Sequence, residues 1–140
     1  MRYLAAAMLF AEIVIHVYLA PDHLAEVPYI GASFVIASVL LTVALVAILV
    51  APRRPAGWRL GATLCVGMAG AFVVSRLVGL PDYHEAWTSD DSLGLISLPP
   101  EAVFVLCAIT ARRGQAAATS AATAAPSSAT ARISATSLTG

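Results

Sequence analysis

The sequence predicts an all-α protein, a four-transmembrane-helix bundle with both termini cytoplasmic and a disordered C-terminal tail. Three observations carry this. Of 140 residues, 59% are hydrophobic and only 11% are charged, where soluble domains carry roughly 25% charged residues. Four apolar stretches, at about residues 3–20, 28–51, 57–80 and 92–111, each come close to or exceed the about 20 residues that a membrane helix needs. The charges are one-sided: arginines flank one set of stretch ends and acidic residues flank the other.

A mean hydropathy of +0.84 in so short a chain excludes an ordinary water-soluble enzyme. Small domains bury only about 60–70% of the surface their unfolded chain exposes. Zero net charge and the absence of lysine leave no patch for nucleic acid. Two cysteines make neither a zinc site on their own nor a disulfide framework. Period-2 alternation is absent, so helices rather than a barrel satisfy the backbone in hydrocarbon.

The first stretch opens with Arg2 ahead of an apolar run, as a secretory signal does. Glu12 and His16 interrupt that run, and Pro21 would follow a cut after Ala20, so the segment is expected to stay as a span. The second stretch has no charge. The third contains Arg76 and the fourth contains Glu101 behind Pro99 and Pro100, which are expected to break the helix just outside that carboxyl. Arg2, Arg53, Arg54, Arg59, Arg112 and Arg113 fall on one side, and Asp22, Glu26, Asp82, Glu85, Asp90 and Asp91 in the two loops on the other. The positive-inside rule then puts the arginine side in the cytoplasm. Tyr3 and Trp58 fall at the inner interface, and Tyr18, Tyr29, Tyr83 and Trp87 at the outer one, as an aromatic belt requires. Residues 1–113 form the transmembrane domain. Residues 114–140 are mostly Ala, Ser and Thr without an aromatic, a composition that cannot offset its own ordering entropy.

Ionisable residues inside a span are the best pointers to function. With a rise of about 1.5 Å per residue, Glu12 lies about 15 Å above Arg2 and Glu101 about 16 Å from Arg112. His16 lies about 21 Å up and Arg76 about 25 Å above Arg59. Glu12 and His16, four apart, share one helix face. The four residues Glu12, His16, Arg76 and Glu101 form a candidate intramembrane polar cluster, with Arg76 expected to meet Glu101. Such a cluster either fixes helix register or handles protons or a ligand; the structural role leads.

The outer loops hold a second set, Asp22, His23 and Glu26 with Asp82, His84 and Glu85. Imidazole with carboxylates suits a divalent metal, yet neither spacing matches a zinc motif. An acidic solvated rim is the stronger reading. Cys65 and Cys107, with Met8 and Met68 at similar depth, offer soft ligands but read better as packing residues. Thr63, Gly67, Ala71 and Ser75 repeat every four residues and form a small-residue helix-packing face, within the bundle or between protomers. Leu-Ala-Pro-Asp at 19–22 and Gly-Leu-Pro-Asp at 79–82 hint at a hairpin repeat that would set His16 opposite Arg76; a common turn signal explains the match more simply. No phosphate loop, nucleophile elbow or Cys-x-x-Cys is present, and no cofactor is expected.

His16, the run at 19–26, residues 28–31, Ser75-Arg76, Gly79-Leu80-Pro81, Leu93-Gly94-Leu95 and Glu101 together resemble a group of small four-helix membrane proteins of GC-rich bacteria. The resemblance spans about residues 3–111 and implies the fold without an activity. Phe10-Ala11-Glu12-Ile13-Val14 resembles the first helix of the small multidrug resistance transporters, which implies a proton- and cation-binding role for Glu12 alone. The aromatic third-helix motif of that family is missing. The leading expectation is a non-enzymatic multi-pass protein of the bacterial plasma membrane, an accessory or interaction component. Its partners are the lipid bilayer and another copy or another membrane protein. The alternative is a small proton-coupled transporter of cations or drugs, and a membrane redox or metal-handling protein comes third.

Reporter fusions test the orientation. A periplasmic-active reporter placed after Asp22 or Asp82 is expected to be active, and one placed after Arg54 or Arg113 inactive. Activity after Arg54 would reverse the topology.

Overall fold

The structure, a computed structural model, describes residues 1–81 and 92–124. It contains α1 (Arg2–Glu26), α2 (Pro28–Val50), α3 (Pro55–Leu77) and α4 (Ser92–Ala124). Each helix packs on its chain neighbours, and α4 closes the ring on α1. The result is an antiparallel four-helix bundle of the kind that short connections favour. All four helices are long and apolar enough to cross a membrane.

The burial pattern fits that solvent. Phe10, Val17, Ile36, Val39, Val43, Val46, Val66 and Leu106 are exposed, while Glu12, His16, Arg76 and Glu101 are buried. Water would favour the reverse arrangement; hydrocarbon favours this one. The core runs as a seam through Ala5 and Leu9 of α1, Leu41, Ala44 and Ile48 of α2, Trp58 and Cys65 of α3, and Phe104, Cys107 and Ala108 of α4.

Two helix ends differ from the sequence reading. α1 does not stop at Ala20. It continues through Pro21 to Glu26, and Val27 alone separates it from α2. Pro21 removes one backbone donor, but flanking residues still close the helix, and the Val27 amide donates to the His23 carbonyl at 2.9 Å. Asp22, His23 and Glu26 therefore stand on helical turns, not in a loop. A side chain on Gly31 would run into the Leu24 backbone, so the tight hairpin requires glycine there. The tail reading is corrected too: α4 passes Arg113 and reaches Ala124, since the alanines of residues 116–124 have the highest helix propensity of any residue. Residues 125–140 lie outside the described part. Pro99 and Pro100 sit inside α4 without ending it. The hairpin repeat does not persist either, because Pro21 is within α1 whereas Pro81 follows the end of α3.

Trp58 corrects the aromatic belt. It is 3% exposed, stacks on Phe104 at 6.1 Å, and donates its indole N–H to the Pro52 carbonyl at 2.9 Å. It pins the α2–α3 turn, where the Arg54 amide also donates to the Ala51 carbonyl at 2.9 Å. At the other end of α3, Gly79 adopts φ 85°, the left-handed conformation that closes a helix and favours glycine.

Of the two places open to the small-residue face, the interior of this bundle is not the one it takes. Thr63, Gly67 and Ala71 are exposed and only Ser75 is buried. The buried small stripe is Gly57, Gly61 and Cys65, the same four-residue spacing one face around. A Cβ on Gly61 would stand 2.6 Å from the Phe104 ring, whereas Gly67 has open space.

Gly61→Ala is expected to destabilise the bundle by about 1–3 kcal/mol, the usual cost of overpacking a filled core. Gly67→Ala is expected to be neutral or better, since alanine exceeds glycine in helix propensity by about 1 kcal/mol. Thermal unfolding in detergent separates the two.

Candidate functional site

The interior is built in layers along the bundle. Gly61 lies against both Leu9 and Phe104. With Trp58 stacked on Phe104, these residues close the half of the bundle nearer the α2–α3 turn. Three and four residues further outward along α1, α3 and α4 come Glu12, Cys65 and Glu101. Glu12 is 0% exposed, Glu101 3% and Cys65 0%. Glu101 lies within electrostatic reach of Glu12, and Cys65 within reach of both. Opposite helix directions thus bring together the two carboxyls that helix rise places at matching depth. Among the described residues neither oxygen of Glu12 has a hydrogen-bond partner, and Glu101 Oε2 has none.

His16 sits one turn outward of Glu12. Its Nδ1 lies 2.9 Å from the Glu12 carbonyl oxygen and 3.6 Å from Glu12 Oε2. A carbonyl only accepts, so Nδ1 carries the proton and donates. The Phe34 ring of α2 lies between two imidazoles, 4.9 Å from His16 and 4.8 Å from His23. Ser38, one turn further along α2, is also buried and spends its hydroxyl on the Phe34 carbonyl at 2.8 Å.

Arg76 does not join Glu101. Among the described residues no ion pair links it to either carboxyl. The guanidinium lies over the Phe72 ring at 4.3 Å and within 3.5 Å of Ser75 Oγ. At its level on α4 stands Gly94, whose Cβ position is 3.6 Å from an Arg76 nitrogen. Gly94 precedes Glu101 by seven residues, about 10 Å along the axis. α3 and α4 are neighbours as expected, but the register keeps the charges about two turns apart. The polar cluster is therefore two groups: Glu12, His16 and Glu101 with Cys65 at mid-depth, and Arg76 with Phe72 and Ser75 at the outer end.

The candidate metal set does not assemble in its described half. Asp22 and Glu26 point to the exterior while half-buried His23 turns inward against Phe34. No group of His, Cys, Asp or Glu that could hold a metal occurs among the described residues. Asp82, His84 and Glu85 lie outside them. Cys65 and Cys107 are free and buried.

Sequence reasoning missed Cys65 as a neighbour of the carboxyls, Phe34 between the histidines, and Trp58 beneath the cluster. Counted from Arg59, Cys65 falls about 9 Å in, short of the carboxyls, so depth did not mark it. For Phe34 no signal existed, because α2 is apolar on every face. Against known proteins, no family model, curated protein or solved structure matches the chain.

Double-mutant cycles read this geometry. Arg76→Ala and Glu101→Gln are expected to add to within about 0.5 kcal/mol, as separated sites do. Glu12→Gln and Glu101→Gln are expected to couple beyond that limit. Unfolding free energies in detergent decide, and strong coupling of Arg76 with Glu101 would restore the ion pair.

Proposed function

We propose that this chain is a non-enzymatic integral membrane protein, an accessory or interaction component whose internal carboxyl layer holds the helix register. The observation that carries this reading is the sealing of that layer. Glu12 and Glu101 are almost wholly buried, and neither lines either of two surface crevices found among the described residues. A transport site needs access from one side at least, and a catalytic site needs room for a substrate. Buried polar groups that close inside a helix bundle act instead to restrict how the helices pair. The exposed face of α3 around Gly67 and Gly70, where nothing approaches within 4 Å, supports contact with further membrane helices, because small residues let backbones approach closely.

A second reading, a small proton-coupled transporter using Glu12, is favoured by the absence, among the described residues, of hydrogen-bond partners at both Glu12 oxygens. The resemblance of the first helix to small multidrug resistance transporters points the same way. On that reading the sealed form is one state of an alternating cycle.

Proteoliposomes carrying a pH-sensitive dye separate the readings. With an imposed pH gradient, the accessory role predicts proton flux equal to that of empty liposomes for the parent and for Glu12→Gln alike. Flux present in the parent and lost in Glu12→Gln would place the transporter first. In native membranes, Gly67→Cys is expected to cross-link to a neighbouring helix with a thiol-reactive reagent, while Val39→Cys does not. Absence of any Gly67→Cys adduct would count against the interaction role.

A further inference from the structure

The inner end of the bundle carries Arg2, Arg53, Arg54, Arg59, Arg112 and Arg113, and no side-chain carboxylate. No Asp or Glu occurs between Glu26 and Asp82, or after Glu101. The charge of this surface is therefore not balanced by side chains of the chain's own inner end.

Three of these arginines share one place. Arg2 at the start of α1 meets Arg53 and Arg54 of the α2–α3 turn around a crevice of about 470 Å³ floored by Val50, Ala51 and Pro52. The turn is held by two bonds, Arg54 amide to Ala51 carbonyl and Trp58 indole to Pro52 carbonyl. Because Trp58 is itself locked against Phe104, the backbone that presents Arg53 and Arg54 is anchored in the core. Arg2 is steadied by Tyr3, with its guanidinium 4.6 Å from the ring centre and a bond of 2.6 Å to the hydroxyl. The guanidinium groups of Arg53 and Arg54 make no hydrogen bond or ion pair with a described residue. Beside them α3 begins at Pro55 without a side-chain cap, so its first amide groups face the same end.

We propose that this crevice binds the phosphate of an anionic phospholipid headgroup. Planar guanidinium groups bind phosphate through paired N–H donors. The uncapped start of a long helix adds positive potential to the same point. Basic pockets between transmembrane helices on the cytoplasmic side suit anionic headgroups, and a volume of this size suits a small ligand. Val50, 79% exposed, and Pro52 give the acyl chains an apolar path along α2, which a free phosphate ion would not use. The proposal goes beyond the accessory role and is independent of it, resting only on the transmembrane placement of the helices.

Native mass spectrometry of the full chain in detergent tests it, with phosphatidylglycerol, phosphatidylcholine and inorganic phosphate as probes. The parent is expected to retain phosphatidylglycerol well above the other two. The Arg53→Gln, Arg54→Gln double variant is expected to lose roughly twenty-five-fold in phosphatidylglycerol affinity, about fivefold for each basic side chain at an anionic surface. The Arg112→Gln, Arg113→Gln variant removes the same charge outside the crevice and is expected to bind as the parent does. Both pairs are exposed, and an unchanged unfolding temperature establishes that each variant is folded. Equal loss in the two double variants would reduce the effect to general surface charge and overturn the site. Inorganic phosphate binding as tightly as phosphatidylglycerol would overturn the lipid assignment.

Discussion

Keeping two carboxyl groups out of hydrocarbon is the constraint around which this bundle is arranged. A charged side chain at the centre of a bilayer costs about 2.5–3.5 kcal/mol on insertion scales. Glu12 on α1 and Glu101 on α4 therefore both turn inward, and that choice orients their helices. Once Glu12 faces in, Ala5, Leu9, His16 and Ala20 share its side, because each lies on the same helical face. Once Glu101 faces in, Phe104, Cys107 and Ala108 follow. Facing of α1 and α4 is thus decided by polarity in a chain whose apolar residues would suit any rotation.

The half nearer the α2–α3 turn then fills by shape. Phe104 needs a glycine opposite it, and Gly61 supplies one; Trp58 covers the ring from the next turn. In lipid there is no hydrophobic gain from bringing helices together, so close packing has to do that work. The indole N–H of Trp58 also reaches the backbone of the preceding turn. One side chain thereby ties the packing of α3 on α4 to the shape of the α2–α3 connection, and through it to the arginines at the inner surface.

The cost of Arg76 is met differently from that of the carboxyls. It lies near the outer end of α3, over an aromatic ring and beside a hydroxyl. A cation over a ring face gains most where water is scarce. Helix rise alone put the arginine near the outer interface, and that depth is compatible with its place over Phe72. Its partner could not be read the same way, since pairing depends on the axial offset between α3 and α4. Seven residues of offset separate Gly94, at the arginine's level, from Glu101. Likewise two small-residue stripes run along α3 at the same spacing, and nothing in composition tells which one faces inward.

By itself the sequence determined the number of helices, a length and apolar character sufficient to cross a membrane, and the matching axial level of Glu12 and Glu101. These depend on local quantities: hydropathy over a span and a fixed rise per residue. It misjudged the end of α1 at Pro21 and the end of α4 at Arg113. In both cases helical hydrogen bonds across the site outweighed a breaker or a weakly packing composition. Only the tertiary structure decided that Cys65 joins the carboxyls, that Phe34 stands between two histidines, that Trp58 is core, and that Arg76 stands apart from Glu101. Each of these depends on the relative rotation and axial offset of neighbouring helices. Those are set by van der Waals fit between surfaces that are nearly uniform in polarity, and a one-dimensional pattern of apolar residues carries no record of that fit.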